Sequence, residues 1–177
     1  MDEQIELARA AGSPVFYTQD WHPPSTPHFA RDGGVWPVHC VGGTWGAELH
    51  PDLRVEGAVV RKGTGGEDGY SGFSMRDPLS GATEPTELDE LLRAADVTSV
   101  VIAGLATDYC VLATGLDARE RGYEVTVLAE GIRAVELEAG DGERALERLR
   151  AEGVEIIDID VDGADDPGAA TVGPAGH

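Results

Sequence analysis

One thiol, one lysine, and a set of one aspartate and three histidines are the residues whose types and spacing could do chemistry. Cys110 closes the segment Gly104-Leu105-Ala106-Thr107-Asp108-Tyr109-Cys110, directly after the apolar run Val100-Val101-Ile102-Ala103. The run reads as a buried strand, and the residues from Val111 onward read as a helix. That puts the thiol in the first helical turn, where unpaired N–H groups and the helix dipole favour a thiolate. The same amides could hold an oxyanion if the thiol attacked a carbonyl. A buried structural cysteine is the plainer reading of this position. Lys62 ends a second run, Gly57-Ala58-Val59-Val60-Arg61, and Gly63 follows it. A lysine on that strand edge beside Cys110 would lower the thiol's pKa. Otherwise it is a surface lysine leaving the sheet.

The histidines crowd one loop. Asp20-Trp21-His22 follows the short run Val15-Phe16-Tyr17-Thr18, at the end of a strand, where α/β folds place ligands. In extended chain, positions 20 and 22 point the same way. With His28 and His39 they make a set of one carboxylate and three imidazoles, suited to Zn²⁺, Fe²⁺ or Mn²⁺. Spacing alone leaves ordinary polar loop residues open as well. Cys40 reads as packing and His50 as an exposed turn residue. Trp36, Tyr70 and Phe73 either pack the loops or wall a flat ring.

The elements that must position these groups alternate. A helix is predicted from Asp2 to Ala11 and strands at Val15–Thr18 and Gly57–Lys62, with a flexible loop from Gly63 to Asp68. A helix from Thr86 to Ala95 leads into the strand ending near Gly104. After the Cys110 helix come a strand at Glu124–Leu128, a helix at Gly142–Glu152 and a strand at Val154–Ile159. Alternation of this kind predicts an α/β fold of three layers, a mostly parallel sheet with helices on both faces. Residues 1–159 form one domain, and residues 160–177 an acidic tail expected to be disordered. Residues 20–54, rich in Pro, Gly, Trp and His, form a loop long enough to suggest function.

Composition narrows the partners. Thirteen basic against thirty-three acidic residues give a net charge of −20 over 177 residues. No basic patch is left for phosphates, which speaks against nucleic acid and anionic membranes. Two cysteines are too few for a disulfide framework, and no signal peptide or membrane span is visible, so a soluble cytoplasmic protein is expected.

Taken together the motifs resemble a known family. Tyr17-Thr18-Gln19-Asp20-Trp21-His22-Pro23, His28-Phe29 and Trp36-Pro37-Val38-His39-Cys40-Val41 are similar to the metal and substrate loop of nicotinamidases. Gly43-Thr44, Gly46-Ala47-Glu48-Leu49-His50-Pro51, Lys62-Gly63, Tyr70-Ser71-Gly72-Phe73 and the Cys110 segment continue the likeness from about residue 2 to 158. These are motifs of the isochorismatase-like cysteine hydrolases. The resemblance implies Cys110 as nucleophile toward the nicotinamide carboxamide, with Lys62 supporting it. It implies the N–H groups of Ala106 and Cys110 as oxyanion hole, with a non-proline cis peptide before Ala106. Asp20, His22, His28 and His39 would hold one divalent metal ion, and Trp36 and Tyr70 would wall the ring. Family members often self-associate, so a homo-oligomer is a further expectation.

The resemblance also implies a first strand ending in a third triad residue, an Asp. No such segment stands before the first helix, so the expectation is a domain lacking its N-terminal strand. Neither Asp2 nor Asp108 takes the role. Alternatives to nicotinamide hydrolysis are a related amide or carbamoyl hydrolase, or a catalytically impaired metal-binding protein.

Overall fold

Each strand that carries a candidate residue ends where that residue is needed. The computed structural model describes residues 2–158. The chain runs α1 (Asp2–Ala10), β1 (Tyr17–Asp20), β2 (Val59–Lys62), β3 (Ser74–Arg76), β4 (Thr83–Pro85), α2 (Leu88–Ala94) and β5 (Ser99–Leu105). A π-helical turn at Thr107–Val111 then leads into α3 (Leu112–Glu120), β6 (Glu124–Arg133), α4 (Asp141–Ala151) and β7 (Glu155–Ile157). β1 and β2 pair in parallel, from Tyr17 opposite Val59 to Asp20 opposite Lys62. β5, β6 and β7 form a second parallel sheet, and β3 and β4 an antiparallel pair. The expected α/β alternation is met. Among the described residues, β1 pairs only with β2 and β5 only with β6.

The local sequence explains the elements. In β2, Val60 and Lys62 are buried while Arg61 is exposed, the period of a strand with one face inward. In α4, Gly142, Ala145 and Leu149 are buried at helical spacing. Its first turn carries Asp141 and Glu143 and its last turn Arg148 and Arg150, signs that suit the helix dipole at both ends. Gly115 on α3 lets the helices meet, because a Cβ there would lie 2.7 Å from Leu149 Cδ2. Leu149, fully buried, joins Val60, Phe73, Leu88, Leu92, Val111, Val125 and Val127 in one core between the helices and the sheets.

Several expectations shift. The first strand starts two residues later than predicted and includes Asp20, because Tyr17 and Gln19 are the residues that turn inward. β6 continues past Leu128 to Arg133, its pairing with β5 irregular between Ile102 and Gly104. Residues 20–54 contain two short 3-10 turns, Ala30–Asp32 and Trp45–Ala47, tied by bridges between His22 and Val41 and between Phe29 and Trp36. The tail at 160–177 and the end of the last predicted strand lie outside the described residues. No described helix is long and apolar enough to cross a membrane.

Leu149→Ala is expected to cost about 2–5 kcal/mol of stability, the usual range for emptying a buried leucine site. A fall in the urea midpoint at unchanged slope would register it.

Candidate active site

Two strand ends and one turn bring Asp20, Lys62 and Cys110 together. The parallel register sets Asp20 beside Lys62, and the Lys62 ammonium pairs with the Asp20 carboxylate. The same ammonium donates to the Gly69 carbonyl and lies 3.4 Å from Cys110 Sγ. Lys62 is 2 % exposed, so it is no surface lysine. Burial alone would lower its pKa, but its charge interactions with the neighbouring Cys110 and Asp20 more than offset that and hold it above the ordinary lysine value.

Cys110 sits in the π-helical turn, not in a regular first α-turn. Burial pushes its thiol pKa up. Lys62 and the Ala106 N–H pull against that rise, while the Asp20 charge adds to it. The expectation of a lowered thiol pKa is therefore corrected, because desolvation outweighs the ammonium. The peptide before Ala106 is cis, as the resemblance implied.

Three histidines converge next to this ion pair. One ring nitrogen each from His22, His28 and His39 lie within 4.8 Å of one another. The His22 and His28 rings stack at 4.6 Å between centroids. His28 Nδ1 is bonded to Asp68 Oδ1 at 2.6 Å and His39 Nδ1 to the Pro37 carbonyl at 2.8 Å, and among the described residues neither Nε2 has a hydrogen-bond partner. His22 Nδ1 is buried and, among the described residues, has no hydrogen-bond partner. Burial and the neighbouring imidazoles lower the His22 pKa to about 4, which keeps the ring neutral at ordinary pH, the form that ligates metals. Asp20 stands apart from this trio. Its carboxylate oxygen lies within 4.8 Å of ligand atoms of His39 and Cys40. Three clustered imidazoles with a carboxylate alongside, one buried nitrogen lacking a partner among the described residues, fit a borderline divalent ion.

Aromatic rings flank the histidines. Trp36 Nε1 donates to Tyr70 Oη at 2.7 Å, and the Trp36 ring lies 6.3 Å from His28, nearly parallel to it. Tyr109 packs edge-on to Trp36 at 4.7 Å. The Tyr70 segment is fastened to α3: Ser71 Oγ and Ser74 Oγ each donate to Asp117 at 2.7 Å, and the Gly72 N–H donates to Thr114 Oγ1 at 2.9 Å. A cavity of about 350 Å³ opens on the other side, lined by His39, Cys40, Val38 and the exposed Trp45.

Sequence reasoning missed Asp68 and Tyr109. Asp68 closes the stretch read as a flexible loop, yet its backbone pairs with Arg76 and its carboxylate meets His28. Its only local signal was an acid near the chain's return from the Gly-rich turn. Tyr109 stood beside the nucleophile in the quoted motif. Asp108, left without a role, accepts the backbone N–H groups of Val135 and Glu136, both at 2.9 Å, and so ties the turn to the segment before α4.

The sequence matches the Isochorismatase domain over residues 2–161. It is similar to the nicotinamidase of Escherichia coli (strain K12), at 35% identity over 173 residues, covering 88% of this chain and 79% of that protein. Among solved structures it is similar to the pyrazinamidase of Pyrococcus horikoshii in complex with zinc. That likeness has a TM-score of 0.76 at 37% identity, over 89% of this chain and 82% of the other. PnC1 from L. infantum in complex with nicotinate is similar with a TM-score of 0.74 at 33% identity, over 89% and 80%.

Two outcomes follow from the histidine geometry. His22 in the unfolded chain takes up a proton near its ordinary 6.5, whereas in the fold it does so only near 4. Across that window the unfolded state binds more protons, so stability falls as pH drops from 6.5 toward 4. Urea midpoints of the metal-free protein are expected to show the fall, and His22→Gln to flatten it. Asp68→Asn is expected to weaken zinc retention about 10–100-fold, the usual effect of losing a carboxylate behind a ligating histidine. Equilibrium dialysis with zinc reads it.

Proposed function

The chain belongs to the isochorismatase family, and from that premise we propose that it is a nicotinamidase, hydrolysing nicotinamide to nicotinate and ammonia. The observation that carries this reading is Cys110 Sγ at 3.4 Å from the buried Lys62 ammonium, beside the cluster of three histidines. A thiol paired with a fixed cation suits attack on a carbonyl whose oxygen gains negative charge.

In the proposed first half-reaction, Sγ bonds to the carboxamide carbon and the carbonyl oxygen takes up the electron pair. The N–H groups of Ala106 and Cys110 stabilise that oxygen. When the carbonyl re-forms, the C–N bond breaks and the proton that left the thiol ends on the departing ammonia. The product is a thioester on Cys110. Water then adds to the thioester carbon, the S–C bond breaks, and the proton released from water restores the thiol.

Lys62 faces sulfur throughout and stabilises its charge whenever the proton is away. Trp36 and Tyr70 hold the flat pyridine ring, with Tyr109 buttressing Trp36. His22, His28 and His39, with Asp20 beside them, would hold a divalent ion, which when bound supplies a Lewis-acid anchor for the ring nitrogen.

Ammonia release from nicotinamide by the purified chain tests this reading. Cys110→Ala is expected to abolish turnover, and Lys62→Met to lower kcat/KM by about 10²–10⁴-fold. A nicotinoyl adduct on Cys110, trapped by acid quench and located by mass spectrometry, is expected during turnover. Undiminished ammonia release by Cys110→Ala, or faster release from other amides than from nicotinamide, would overturn the assignment.

A further inference from the structure

We infer that the single carboxylate of Asp20, which pairs with Lys62 and also reaches toward His39, couples Lys62 to cation binding at the histidines. The inference rests on the metal reading of the site but not on the choice of substrate.

β1 and β2 lie side by side with Asp20 directly opposite Lys62, both at the last paired position. Their side chains meet there, and among the described residues the ammonium has no other carboxylate in its hydrogen-bond set, which the Gly69 carbonyl and Cys110 Sγ complete. Asp20 thus fixes where Lys62 Nζ sits, and Lys62 fixes what Cys110 faces. The sequence then turns at once toward the histidines. The Trp21 N–H donates to the Lys62 carbonyl and the His22 N–H to the Cys40 carbonyl, each at 2.9 Å, which holds the chain after Asp20 against both segments. From this place the Asp20 carboxylate also reaches within 4.8 Å of His39 and Cys40 ligand atoms. Lys62 and a cation beside His39 therefore draw on the same two oxygens.

A shared carboxylate makes the two events interdependent, and such coupling is reciprocal. A cation that engages Asp20 loosens its hold on Lys62, and removing the Lys62 charge leaves Asp20 free for the cation. Simple repulsion between Lys62 and a nearby cation would also tighten binding when the lysine is lost. The two explanations differ in one respect: repulsion does not need Asp20, whereas the shared carboxylate does.

The experiment is a double-mutant cycle on zinc affinity, with no substrate present. Zinc is titrated against a chromophoric chelator into the wild type, Lys62→Met, Asp20→Asn and the double variant, with circular dichroism reporting folding. Lys62→Met is expected to tighten zinc binding at least about fivefold in the wild-type background, at the low end of ordinary coupling, and less than about twofold when Asp20 is already Asn. If Lys62→Met proves unfolded, Lys62→Gln, which keeps a donor for the Gly69 carbonyl, takes its place in the cycle. Equal tightening in both backgrounds, or none in the wild type, overturns the coupling while leaving the metal reading intact. A wild-type chain that binds no zinc overturns both. Coupling found in a chain that does not hydrolyse nicotinamide leaves the inference standing and removes only the substrate assignment.

Discussion

An ammonium group taken out of water is the constraint around which the rest of the site is arranged. A buried charge is tolerated only when partners answer it, and Lys62 is enclosed almost completely. Three elements supply the answer: Asp20 from the neighbouring strand, the Gly69 carbonyl, and the Cys110 sulfur from the turn after β5. The Gly69 contribution explains a glycine. A Cβ at that position would lie 2.9 Å from the Gly63 nitrogen and 3.1 Å from the Lys62 carbonyl carbon, so only a bare backbone passes close enough. The lysine in turn makes the parallel register of β1 and β2 matter, since a one-residue slip would turn Asp20 to the opposite face.

The histidines obey a complementary rule. They lie close to a fixed positive charge and to one another, and the Lys62 charge is among the causes that hold His22 neutral. The rings must also be aimed, and hydrogen bonds at Nδ1 do this for His28 and His39. The short β3–β4 pair, which contributes little to the main core, finds its purpose here, because its pairing with the Asp68 backbone places the carboxylate behind His28.

What could be read in the sequence was whatever is carried by contiguous motif. Cys110, Lys62 and the histidines stood at strand ends or in short quoted runs, and the structure brings them to one place. Asp68 and the β3–β4 pair were not legible because their importance comes from contacts across forty residues of chain, which no local pattern records. The π-helical turn escaped because an apolar run followed by a helix pattern does not specify where the first wide turn falls. The thiol's direction of shift was misread for a different reason. A helix start and a lysine both argue for a lower pKa, but burial is a tertiary quantity, and here it wins. Asp20, grouped by spacing with the histidines, was legible as an acid at a strand end but not as the partner of Lys62, which only the register reveals.

The fastening of Ser71, Gly72 and Ser74 to Thr114 and Asp117 carries a mechanical consequence. α3 begins at the residue after the turn that bears Cys110, and it also holds the segment bearing Tyr70. In the proposed reaction, ring wall and nucleophile are therefore mounted on one shaft. The spacing between Tyr70 and Cys110 is thus set by a single helix, a gauge of fixed width rather than a jaw.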